Sequence, residues 1–287
     1  MGVQISPRTI LLAGLAAWTV LFTAGCATSS EKPKPPQPGT PEFNWLKAKN
    51  AYNQGDYVTA SNLLVELSQK DSPYLAQAAP LALVLTHGLT HAYLELGEKY
   101  AEGAKKTRGN SAPFYRLTSE YRSKASAIGL RYAEAAHKYT ASLPEGDVVL
   151  AFDAPKAEDS DPPQYKRIEA GMMIPAAEIP RVESRVIARW ILKSTANTTG
   201  FRDKPEQLGK AYAGGEARVP QATFLPALAF SLYETAEMFG PKKLNQPNRV
   251  VLTLCNEAES VLAKVKPSKE TAELLKKIKA VQKRAQT

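Results

Sequence analysis

Apolar residues recur at spacings of three and four along most of this chain, the pattern of helices that bury one face. The clearest run is Leu117, Tyr121, Ala125, Ile128, Tyr132, Ala136 and Tyr139, which predicts an amphipathic helix over 113–141. Before it, Leu81 to Lys105 reads as a helix with Pro80 in its first turn, loosened by Gly88, Gly97 and Gly103. After it, helices are expected at 178–195, 204–213, 222–239, 248–264 and 268–285. Phe224–Phe239 is apolar nearly all round and predicts a central helix. Asn248 is expected to cap the helix whose Val251, Leu254, Cys255, Ala258, Val261, Leu262 and Val265 form one stripe. Cys255 lies on that stripe and reads as a small core residue. Pro267-Ser268 closes this helix, and Ser268 caps the last one.

Residues 43–70 carry two shorter helical patterns. Trp45, Ala48 and Tyr52 lie on the first, Ala60, Leu64 and Leu67 on the second, and Gly55-Asp56 supplies the turn. Asp71-Ser72-Pro73 provides the stop. The arrangement resembles one tetratricopeptide repeat (TPR), a helix–turn–helix unit of 34 residues. Such a repeat cannot bury its apolar face alone, so the resemblance implies further helices stacked upon it. The expected fold class is therefore all-α: a TPR-like superhelix of irregular helical hairpins over residues 43–287. It is interrupted by an irregular insertion near 143–177. There Asp147–Asp153 is short and β-like, and Glu158, Asp159 and Asp161 form an acidic cluster among prolines. The insertion reads as a surface connection between two helical halves, with a binding loop as the alternative.

The N-terminus changes the picture. Ile10 to Phe22 is an apolar run too short to span a bilayer as a helix, which takes about 20 residues. With Arg8 before it and small residues after it, residues 1–25 match a secretory signal peptide. Thr23-Ala24-Gly25-Cys26 resembles the lipobox of bacterial lipoproteins, with Thr23 where Leu is usual. That resemblance implies covalent diacylglycerol and an acyl chain on Cys26. Ala27 and Thr28 after the cysteine imply outer-membrane sorting, facing the periplasm. Residues 26–42 then form the lipidated Cys and a tether with Pro33, Pro35, Pro36, Pro38 and Pro41, an extended polyproline II composition. With Cys26 acylated, Cys255 has no intramolecular disulfide partner.

Two cysteines exclude a disulfide scaffold and a multi-cysteine metal cluster. The net charge of +9 is uneven: Lys264 to Thr287 carries +6 of it, around Leu274, Leu275, Ile278 and Val281. This reads as a capping helix with a solvated outer face, or as a surface for anionic lipid or an acidic protein. Arg181, Arg185, Arg189 and Lys193 form an i, i+4 row that costs a helix about 0.2–0.5 kcal/mol per like-charged pair. An acidic surface is expected to offset it, and the cluster Glu158–Asp161 is a candidate within the chain. His87, His91 and Glu95 share a helix face at a spacing that can chelate a metal. Gly88 stands where a zinc protease needs Glu, and no third His or Cys is placed to help, so no metal site is expected. Walker A, dinucleotide-binding, HExxH and GxSxG motifs are absent.

Tyr93, Tyr100, Tyr115, Tyr121, Tyr132 and Tyr139 crowd two consecutive helices. In TPR stacks tyrosines serve as packing and as the lining of a concave groove. The whole is loosely similar to the TPR lipoproteins of outer-membrane assembly and to the T-component lipoproteins of TRAP transporters. The first resemblance implies a non-enzymatic, membrane-anchored adaptor without a cofactor. It would hold envelope proteins or peptides at Tyr93, Tyr100, Tyr121, Tyr132, Arg181, Arg185, Arg189 and Lys193. The second implies a small-ligand-binding accessory of a transporter. A metal-dependent enzyme using His87 and His91 is the remote alternative. Export makes nucleic acid an unsuitable partner.

Overall fold

A computed structural model of the chain describes residues 36–69, 72–143 and 145–286. The signal segment and Cys26 lie outside the described residues. In chain order the elements are α1 (Pro41–Asn53), α2 (Tyr57–Gln69), α3 (Leu75–Lys106), α4 (Ala112–Ala141), β1 (Val148–Leu150) and α5 (Tyr165–Glu169). There follow α6 (Ile179–Thr198), β2 (Tyr212–Ala213), β3 (Glu216–Val219), α7 (Gln221–Met238), α8 (Asn248–Leu262) and α9 (Lys269–Gln286). The fold is thus mostly helical. No described helix is long and apolar enough to cross a membrane.

The first hairpin follows from local chemistry. Thr40 Oγ1 accepts from the Phe43 amide and Pro41 opens α1. Gly55 turns the chain at φ 79° and Asp56 Oδ1 caps α2 through the Thr59 amide. Ala48 and Ala60 are fully buried, so α1 and α2 approach closely.

The scaffold beyond it is a pair of long helices, α3 with 32 residues and α4 with 30, packed along their lengths. The stripe predicted for α4 is buried, with Ile128 partly so. Pro80 sits within α3, not in its first turn, because the helix starts at Leu75. The glycines do not loosen α3; they bring neighbours close. A Cβ on Gly103 would lie 2.4 Å from the Ile168 carbonyl oxygen, and one on Gly88 2.7 Å from Ile191 Cδ1. α5 and α6 therefore rest almost on the backbone of α3.

Two expectations fail locally. Residues 204–213 form a short 3-10 segment, Pro205–Ala211, and then strand β2. Gly214 and Gly215, at φ 65° and 86°, make the tight turn that pairs β2 with β3. The β-like stretch in the insertion becomes β1, antiparallel to β3 with Val148 opposite Val219, giving a small sheet in the order β1-β3-β2. Asn248 is the first residue of α8 and makes no cap, the capping position being Pro247. Ser268 does cap α9: its Oγ accepts from the Thr271 amide at 3.2 Å, and Thr271 Oγ1 accepts from the Ser268 amide at 2.8 Å. α9 lays Ile278 and Val281 against α7 and α8, leaving its lysines exposed.

Candidate functional site

α3 presents a second buried face, turned from α4 towards α6 and α7, and this face is polar. The neighbouring Thr86 and Thr90 return their hydroxyls to carbonyls one turn back, at 2.6 and 2.7 Å, and so need no other partner. His87 and His91 cannot do so. They lie one turn apart with Nε2 atoms 3.2 Å from each other. α7 brings in Glu234, whose Oε2 is 3.6 Å from His87 Nε2 and 3.9 Å from His91 Nε2. Glu234 is far from the histidines in sequence, yet the three donors converge at one point.

The hydrogen bonds around the cluster orient it. Ser194 Oγ donates to the Val84 carbonyl at 2.9 Å, so it accepts from His87 Nδ1 at 3.2 Å. His87 is thereby held as the Nδ1–H tautomer, with the Nε2 lone pair aimed at the cluster. A partner on the far ring nitrogen is the usual support of a metal-binding histidine. Trp190 stacks on His91, with ring centres 4.5 Å apart and 19° between the planes. Trp190 Nε1 in turn donates to Glu95 at 2.8 Å. Gly88 permits this, since any side chain there would push α6, with Trp190 and Ser194, away from α3.

Burial governs the charges. It pushes His87 down to about 3 and drives His91 well below the usual histidine range, with further lowering from His87, Lys243 and Lys193. It pushes Glu234 up to about 7, against the pull of Arg202 and Lys243. Near neutral pH both imidazoles are neutral and Glu234 is close to half ionised. Neutral imidazole and carboxylate are the forms that ligate metals.

The separations suit an ion. A point equidistant from three atoms spaced 3.2, 3.6 and 3.9 Å lies about 2.1 Å from each, close to ordinary Zn–N and Zn–O bond lengths. His87 and Glu234 also line a cleft of about 280 Å³ with Trp190, Lys193, Ser194 and Arg202.

The remaining predicted residues are placed as follows. Glu95 does not join the histidines: its carboxylate is taken by Arg189 and the Trp190 indole. His137 is on the surface, bonded to Glu257. Tyr93, Tyr100, Tyr121 and Tyr132 are 3, 0, 1 and 1 % exposed, so they line no groove. Tyr93, Tyr100 and Tyr121 stack in series, and Tyr132 packs at 5.5 Å from His87. Large rings that bury this much area are worth more to packing than to a surface. The cationic row is largely engaged within the chain. Arg185 pairs with Glu158 at 3.0 Å, Lys193 with Asp159 at 2.9 Å, and buried Arg189 with Asp161 and Glu95. Only Arg181 of the four is exposed without a carboxylate partner among the described residues. Cys255 is fully buried, and burial pushes its thiol up to about 12. Glu234 was missed because it comes from a helix read as apolar all round. A carboxylate inside such a helix was the available signal.

No protein-family model, no curated protein and no solved structure matches this chain.

Proposed function

We propose that this chain is a lipid-anchored, periplasm-facing binding protein of the cell envelope whose folded body takes one divalent transition-metal ion at His87, His91 and Glu234. It binds rather than catalyses. The observation that carries the reading is the convergence of two neutral imidazoles and one carboxylate on a point about 2.1 Å from each donor. The expectation of no metal site rested on a missing third ligand, and Glu234 supplies one. The envelope location rests on the sequence at Ile10–Cys26.

A cleft of about 280 Å³ suits a small ligand better than a peptide. This favours the transporter-accessory reading over the adaptor. An adaptor would need a surface other than the four tyrosines and the three engaged cations. The TPR-like reading rests on α1 and α2; α3 and α4, at 32 and 30 residues, are longer than the helices of a 34-residue repeat.

Thermal unfolding of chelator-treated protein tests the proposal. Zn2+ at a hundredfold excess over its Kd adds about 2.7 kcal/mol, raising Tm by about 5 °C or more. A His87→Ala/Glu234→Ala variant that remains folded should lose the shift. An equal shift in wild type and variant would sink the reading.

A further inference from the structure

Three protein donors leave a metal ion with open coordination positions. Here the open side is the cleft, because His87 and Glu234 both line it. What can fill it is decided by its charges. Lys193 is neutralised by Asp159 at 2.9 Å. Arg202 is different: its guanidinium carbon lies 3.5 Å from the centre of the Phe230 ring, and it has no carboxylate partner among the described residues. The stacked ring limits its motion while leaving its N–H donors unused by an ion pair. It lines the same cleft as His87 and Glu234.

A divalent ion held by one carboxylate keeps a net positive charge, and Arg202 adds a second across the same small cleft. Asp203, which also lines it, supplies one opposing negative charge. The balance attracts an anion and disfavours a polyanion. We propose that the cleft binds a small monocarboxylate, one oxygen completing the metal coordination and the other accepting from the Arg202 guanidinium. This rests on the metal-site reading above and names the ligand class of that site. Planar carboxylate and planar guanidinium match in geometry, and a charge-assisted pair of this kind is the stronger sort of hydrogen bond. Trp190 and Phe230 provide apolar walls for a short carbon chain.

The test uses Co2+ as the spectroscopic ion, at pH 8, on the folded chain without its signal segment and with Cys26 replaced by Ser. Acetate is added to the Co2+-loaded protein, and the visible absorption is followed. A saturable spectral change is expected. Arg202→Gln should weaken acetate by about tenfold or more while leaving Co2+ affinity within about threefold. Arg202→Lys should recover part of the loss, since it restores charge without the fork. An unchanged spectrum on adding acetate overturns the inference and leaves the metal site standing. So does an equal response in Arg202→Gln. A stronger response to phosphate than to acetate overturns the carboxylate assignment. Failure to bind Co2+ at all overturns the inference together with the site beneath it.

Discussion

α3 buries two faces that obey different physics. Towards α4 it meets aromatic side chains: Tyr93 and Tyr100 stack with Tyr121, and all three are buried. Towards α6 and α7 it carries His87 and His91 against Ser194, Trp190 and Glu234. The first face gains from every area of carbon it hides. The second holds three ionisable groups whose preferred charge states are displaced by burial, which costs stability. A leucine at His87 would pack without that cost. One helix can thus carry a stabilising face and a face whose cost is offset only when something binds there, a common arrangement at functional sites.

The contrast can be broken at either face. Tyr121→Ala should cost about 3–5 kcal/mol, seen as a lowered urea midpoint, and should leave metal affinity nearly unchanged once the variant is folded. Next in size is the ionic network beside the polar face. Arg189→Met strands Glu95 and should cost about 3 kcal/mol. Arg185→Ala removes an exposed pair and should cost under about 1 kcal/mol, a cost that salt screens away.

The pH-dependent effect is the more diagnostic. Glu234 titrates near 7 when folded and near the ordinary carboxylate value of 4.5 when unfolded. The folded state therefore holds the proton more tightly, and this group's contribution is favourable below about pH 4.5 and is lost as pH rises through 7. Glu234→Gln should stabilise the metal-free protein at pH 8 and much less at pH 5. His87 runs the other way: its pKa falls from 6.5 to about 3 on folding, so its penalty appears as pH falls below 6.5. Urea midpoints of wild type and Glu234→Gln across pH 5 to 8 separate the two. Equal midpoints at pH 8 would show that Glu234 is not strained by burial.

Much of the tyrosine face was legible in the sequence because it is written in local periodicity: six residues of the α4 stripe are buried. The partnership of the acidic insertion with the cationic row was legible too, since uncompensated like charges demand a counterpart. The polar face was only half legible. His87 and His91 announce themselves by spacing, but their partner lies on α7, and tertiary convergence leaves no local pattern. Glu95 misled for the same reason: it shares their helix face, and α6 places Arg189 and Trp190 to claim it. The β2–β3 hairpin was hidden because helical spacing across 204–213 stops just short of the Gly214-Gly215 turn.

Equilibrium dialysis against Zn2+ at pH 8, with metal counted per chain, bears most directly on the polar face. Wild type is expected to hold about one Zn2+, and His87→Ala, shown to be folded by its circular dichroism, should hold none at the same free concentration. Zinc retained equally by both, or by neither, would contradict the assignment of His87, His91 and Glu234 as a metal centre.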